Sequence, residues 1–279
     1  MSGPADALPV EASPGNTFRR IRRGRAWEYR INRARVPSVT TCLNAINKPL
    51  KRWAARTAAE YTADNISMLT QITRGEIIDL VSGAPDRSSN MAARIGTDVH
   101  DRIARYMLGE ELVVEQELEA WINQYQDFEA HFLPQDRAYL IEQAVFSVTG
   151  QYAGTFDLFG ELAQGWGATL LDVKTSGDVY PDYSLQLAGY LGAEYLEGGE
   201  RVPWASEGRG WPRVRCAVLW LRHDAWELMP VEVGRPEFAG FMAARVMTAW
   251  QETRAGMVLT GGRPEPTLKI PRPRLEVVK

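Results

Sequence analysis

Between residues 138 and 175 the apolar residues switch from helical to strand period, and this switch constrains the fold more than any other feature of the chain. Residues 138–148, 150–162 and 168–175 alternate or run apolar over strand lengths, with Gly150 and Gly165/Gly167 at turn positions. They predict a three-strand antiparallel meander. Residues 182–197 then predict a helix. Two further strands follow at 213–222 and 225–233, with His223-Asp224 near their turn, and a closing helix at 235–256.

Upstream, the pattern is mostly helical. Residues 17–35 read as a short hairpin turning at Gly24. Pro37-Ser38 opens a helical stretch capped by Ser38 or Thr40. Leu43, Ile46, Leu50, Trp53 and Ala54 recur there at roughly helical spacing, and Pro49 breaks the run. Residues 51–64 and 66–81 predict two more helices, 83–90 a loop and 115–133 an amphipathic helix. Residues 91–108 predict a helix with Ile95, Val99, Ile103, Tyr106 and Met107 turned inward. Gly96 lies inside it; glycine costs a helix about 1 kcal/mol relative to alanine, so close packing or a nearby ligand is its expected reason.

No internal repeat is present. The order predicts one α/β domain over 17–262, with a sheet in the middle, helices packed on it and an α-helical N-terminal part. Within it, 17–35 form the basic hairpin, 36–135 the helical part, and 136–262 the sheet core with closing helices. Residues 1–16 are predicted to be disordered, and 263–279 form a Pro-rich extended tail.

Composition removes several function classes. No run approaches the ~18–20 apolar residues of a membrane span, and the start does not resemble a signal peptide, so a soluble cytoplasmic protein with no membrane partner is expected. Cys42 and Cys216 are the only cysteines, too few for a CxxC-type zinc or iron–sulfur site. A net charge of −3 excludes a uniformly basic nucleic-acid binder. Positive charge is concentrated instead. Residues 17–35 hold eight arginines against the single acid Glu28, with Arg19, Arg20, Arg22, Arg23 and Arg25 closely spaced. This stretch is either a charge-protected sheet edge or a phosphate-tracking surface for DNA. Trp27 and Tyr29 within it are candidates for stacking on unpaired bases or for packing. Only five lysines occur beside 27 arginines, which makes Lys174 conspicuous.

The candidate chemistry lies at 154–190. Asp157 and Asp172 end short apolar runs, and Lys174 follows Asp172 at i+2, so both point to one face of a strand while Val173 points into the core. Two carboxylates suit a divalent cation, and the Val173 carbonyl offers one more oxygen. A lysine beside them can orient a nucleophilic water and stabilise charge on a phosphorane-like transition state. Gln186 and Tyr190, at i and i+4, share a helix face as donors for a phosphate or for Lys174. Glu142, in the first strand, is either a metal ligand or the partner of a buried arginine. His100, one turn after Gly96, is by its residue type more often a packed or surface histidine than a ligand.

Taken in order, Gly96-Thr97 with His100, Glu142, Gly154 with Asp157, Asp172 with Lys174, and Gln186 with Tyr190 resemble the PD-(D/E)xK nuclease superfamily. The match is nearest its RecB-like branch of CRISPR-associated and phage-type exonucleases. Pro37-Ser38-Val39-Thr40-Thr41, followed by Trp53, is similar to the start of phage members. The resemblance covers roughly residues 36–195. It implies a restriction-endonuclease-like core with a central mixed sheet flanked by helices, Mg²⁺ or Mn²⁺ dependence and hydrolysis of DNA. It also implies His100, Asp157, Asp172 and the Val173 carbonyl as metal ligands and Lys174 as catalytic lysine. Asp172 stands where many members carry Glu. The four cysteines of the iron–sulfur subgroup are missing, so no cluster is expected. No G-x-x-x-x-G-K-[ST] motif occurs, so unwinding would require a helicase or recombination partner. The expected activity is exonucleolytic, in phage or bacterial recombination, repair or DNA processing. The alternatives are a catalytically silent DNA-binding or scaffold subunit and a structure-specific endonuclease.

Overall fold

A computed structural model describes residues 15–24, 26–46, 50–111, 114–205, 211–212 and 214–254. Of the stretch 1–16 expected to be disordered, residues 1–14 lie outside the described residues, as do the break at Pro49, Arg25 and the Pro-rich tail, while Asn16 Oδ1 accepts from Asn32 Nδ2 at 3.0 Å. The chain opens with a three-stranded antiparallel sheet: β1 (Phe18–Arg23), β2 (Ala26–Ile31) and β3 (Ala34–Val36). The predicted hairpin thus gains a third strand. Helices follow: α1 (Val39–Leu43), α2 (Lys51–Asp64), α3 (Ile66–Leu69), α4 (Arg74–Ser82), α5 (Ala84–Met107) and α6 (Glu119–Phe132). The second half holds β4 (Leu140–Ser147), β5 (Tyr152–Leu162), β6 (Gly167–Lys174), α7 (Asp182–Leu191), β7 (Tyr195–Leu196), β8 (Arg215–Leu221), β9 (Trp226–Val231) and α8 (Arg235–Thr253).

Three expectations are corrected by local chemistry. Residues 66–81 do not form one helix. Thr73 caps a new one, its hydroxyl accepting from the Glu76 N–H while the Glu76 carboxylate accepts from the Thr73 N–H, so α4 starts there. Residues 84–90 are not a loop but the first turns of α5. Pro85 stands in its first turn and Asp86 is the acidic residue there, which favour a helix start. The helix expected at 182–197 stops at Leu191, with Gly192 as its C-cap, and Tyr195–Leu196 instead pair with β4.

The larger sheet has the order β7-β4-β5-β6-β8-β9. β4, β5 and β6 form the expected antiparallel meander, and β8 joins β6 in parallel after the α7 crossover. The sheet is therefore mixed. One face carries α1, α7 and α8 through Val39, Tyr152, Phe156, Leu187, Tyr190 and Phe241. The other carries α5 and α6 through Val99, Ile103, Phe128, Leu158, Leu171 and Leu219. A third cluster (Phe18, Tyr29, Ile31, Ala144, Phe146, Ala153) joins the small sheet to one end of β4 and β5. Cys42 and Cys216 are both buried in the first cluster.

One irregularity places the site. Phe156 packs in the first cluster and Leu158 in the second, although residues two apart on an even strand share a face. β4 switches in the same way: Leu140 packs against the first cluster, and so does Val145, five residues on. The register runs unchanged from Leu140↔Phe159 to Ser147↔Tyr152, but Glu142 and Asp157, which face each other, are the one pair missing from the ladder. Glu142 has φ +49°, the left-handed region that β strands exclude. Both strands therefore turn over at one point. Beyond it the small sheet covers them, and before it α5 and α6 do.

Candidate metal centre

Glu142 and Asp157 meet at this turnover, and His100 reaches them from α5. His100 Nδ1 lies 3.3 Å from Asp157 Oδ1. One ligand atom from each of His100, Glu142 and Asp157 lies within 4.8 Å of the other two. Gly96 explains how α5 comes so near. A Cβ at this position would stand 3.1 Å from Thr175 Oγ1, so the glycine lets the helix close on the end of β6 one turn before His100.

Asp157 is fixed from its far side. Its Oδ2 accepts from the Val173 N–H at 2.6 Å, just past Leu158↔Leu171, where the β5–β6 ladder ends. Val173 meets the site through this N–H, and its side chain is core, as the i+2 argument required. Asp172, 1 % exposed, holds Lys174 Nζ 2.5 Å from its Oδ2. The Lys174 ammonium also lies 5.0 Å from the Tyr183 ring centroid, a favourable cation–π position.

Gln186 and Tyr190 do not hold Lys174. Gln186 Nε2 donates to Asp172 Oδ1 and to the Tyr190 hydroxyl, both at 3.0 Å, so this helix grips the carboxylate instead. Gly154 makes room for the tyrosine; a Cβ there would come within 2.7 Å of Tyr190 Cε1 and 3.0 Å of Val39 Cγ2. Asp172 thus belongs to a lysine–glutamine pair beside the His100–Glu142–Asp157 cluster.

His100, Glu142, Asp157, Asp172, Lys174, Gln186 and Tyr190 line one groove of about 640 Å³ between α5 and the small sheet. The basic stretch divides across the faces of β1. Arg20 and Arg22 line the groove, their guanidinium carbons 4.4 and 4.8 Å from the Trp27 ring centroid. Arg19 and Arg23 alternate to the opposite face, where Arg23 lies 3.7 Å from Glu28. The stretch is therefore not one uniform basic surface. Arg20 is also built into the fold. Its Nη1 donates to the Glu142 carbonyl at 2.8 Å and to Thr155 Oγ1 at 3.3 Å, and its backbone N–H donates to Glu197 Oε1 at 2.8 Å.

Two participants escaped the sequence reading. Thr155 bonds both Arg20 and the Tyr29 hydroxyl, and Tyr183 underlies Lys174. Neither residue type marks itself in a sequence; only the register that faces them inward does.

The chain matches no protein-family model and no curated protein.

The charges are strongly coupled. Burial opposes charge on His100, but Asp157 outweighs it and lifts the imidazole to about 9. Burial, reinforced by the facing Asp157, pushes Glu142 up to about 7. For Asp157 burial acts upward too, yet His100, Lys174 and the Val173 N–H overcome it and hold the carboxyl below its usual range. Asp172 is raised to about 6, mainly by burial, with Lys174 opposing. Lys174 is raised against its own burial by Asp172 and Asp157, so it carries its proton at neutral pH. Two carboxylates and an imidazole converging in a partly buried site form a donor set that fits a hard divalent cation. The imidazole tilts the preference from Mg²⁺ towards Mn²⁺.

Proposed function

We propose that the chain is a divalent-metal-dependent deoxyribonuclease of the PD-(D/E)xK type, acting on DNA ends. The observation that carries this reading is the convergence of His100, Glu142 and Asp157 within 4.8 Å, with the Asp172–Lys174 pair on the same groove. His100, Glu142 and Asp157 would hold Mg²⁺ or Mn²⁺, which would supply charge neutralisation on the phosphate and acidify a water. Asp172 and the Val173 carbonyl are the further ligands that the resemblance implies. Lys174 keeps its ammonium at the groove, where it orients the attacking water and stabilises the charge that builds on the phosphate oxygens. Gln186, itself bonded to the Tyr190 hydroxyl, holds Asp172, and Asp172 in turn holds Lys174. Arg22 and Trp27 offer a cationic and stacking wall to the DNA strand. A helicase or recombination partner would supply unwinding. No helix among the described residues is long and apolar enough to cross a membrane.

The test compares wild type and Lys174→Ala on linear, closed circular and single-stranded DNA with Mg²⁺, Mn²⁺ or EDTA. Metal-dependent shortening of linear DNA, sparing closed circles and lowered at least about 100-fold in the variant, is expected. Binding without cutting in every metal would contradict the reading and favour a silent DNA-binding subunit. Cutting of closed circles would favour an endonuclease.

A further inference from the structure

We infer that Arg20 is a positioning residue for Glu142, so that the N-terminal sheet completes the metal centre. The inference rests on the metal reading above. Glu142 adopts a left-handed backbone at the point where β4 turns over, and its pairing with Asp157 is absent from the ladder. A non-glycine residue in that region is strained and stays there only where its surroundings hold it. The carbonyl released from regular pairing needs a donor. Arg20 supplies one from 122 residues away, with Nη1 2.8 Å from that oxygen.

Arg20 is itself held. Its Nη1 also reaches Thr155 on the adjoining strand, its main-chain N–H and guanidinium both meet Glu197, and its guanidinium lies over Trp27. A planar fork pinned at these points fixes the carbonyl, and with it the direction of the Glu142 carboxylate towards Asp157 and His100. Arg22 offers the control. It lies on the same face of β1 and lines the same groove, yet among the described residues its hydrogen bond goes to the Gly24 carbonyl, on its own hairpin.

The sign of the effect separates positioning from electrostatics. Arg20 is a cation near a cation site. If its charge were all that mattered, removing it would tighten metal binding. If it positions Glu142, removing it loosens metal binding, since loss of partners that orient ligands weakens metal affinity by about 10- to 100-fold.

Calorimetric titration of the full chain with Mn²⁺, without DNA, tests this. Arg20→Ala is expected to bind about 10-fold more weakly or worse, Arg22→Ala like wild type, and Glu142→Gln at or below Arg20→Ala. Arg20→Lys keeps the charge and the apolar stem but loses the fork, so it is expected to fall between wild type and Arg20→Ala. It also covers the case in which Arg20→Ala fails to fold. Unchanged or tighter Mn²⁺ binding in folded Arg20→Ala, or wild-type affinity in Arg20→Lys should the alanine variant not fold, would overturn the inference alone. A wild type that binds no Mn²⁺ would overturn the metal reading, and the inference with it.

Discussion

Single residues at this site do work that their neighbours define. His100 stays charged to about pH 9 beside Asp157, and Glu142 keeps a proton to about pH 7. A bound cation needs both without protons. Below about 7 it must displace a proton from each; between about 7 and 9 it must displace only that of His100. Mn²⁺ affinity should therefore climb as pH rises from about 6 to about 8, with proton release on binding. Calorimetry in buffers of different ionisation enthalpy measures both, and a flat profile would contradict the coupling. Gly154 is a second single-residue case. Gly154→Ala places a methyl 2.7 Å from Tyr190 Cε1 and 3.0 Å from Val39 Cγ2 in the core. It should lower stability by about 1–3 kcal/mol, read as a drop in Tm. An unchanged Tm would mean that Tyr190 is free to move aside.

At the scale of elements, β1 is a strand with one face in the groove and the other outside. Arg22→Ala should weaken DNA binding and flatten its salt dependence by about one phosphate contact, while Arg19→Ala should leave both unchanged. Equal effects from the two would mean that DNA tracks the edge of the sheet and not the groove. Apart from β7, the strands of the large sheet and α8 were legible because apolar period and turn glycines agree there. The start of α5 was not, because Gly83 to Asn90 is polar and carries Pro85, which reads as a breaker inside a helix but favours its first turn. The division of 66–81 was written in Thr73 and Glu76, three apart, a start signal that the helical period on both sides concealed. β7 is two residues long, below any periodic signal, and exists only because β4 offers an edge.

For the whole molecule, the groove forms where three packed regions meet: α5 on one side, the small sheet on the other, and the turnover of β4 and β5 at its floor. Asp157, Asp172 and Lys174 could be named in sequence because two carboxylates and a lysine at that spacing are chemically distinctive, whereas His100 was singled out only by the resemblance. The kink that aims Glu142 could not be named in sequence. A left-handed glutamate leaves no mark in composition, and the arginine that meets its carbonyl lies in what reads as a plain charge run. Gln186 was legible as a polar group on the right helix face, but that it bonds Asp172 instead of Lys174 was visible only in three dimensions. The proposed chemistry requires His100, Glu142 and Asp157 to bind a single divalent ion. Anomalous diffraction from Mn²⁺-soaked crystals tests it most directly. One strong peak is expected within ligand distance of all three side chains, absent in Asp157→Ala. Full-occupancy Mn²⁺ elsewhere, with these three side chains still paired to one another, would contradict it.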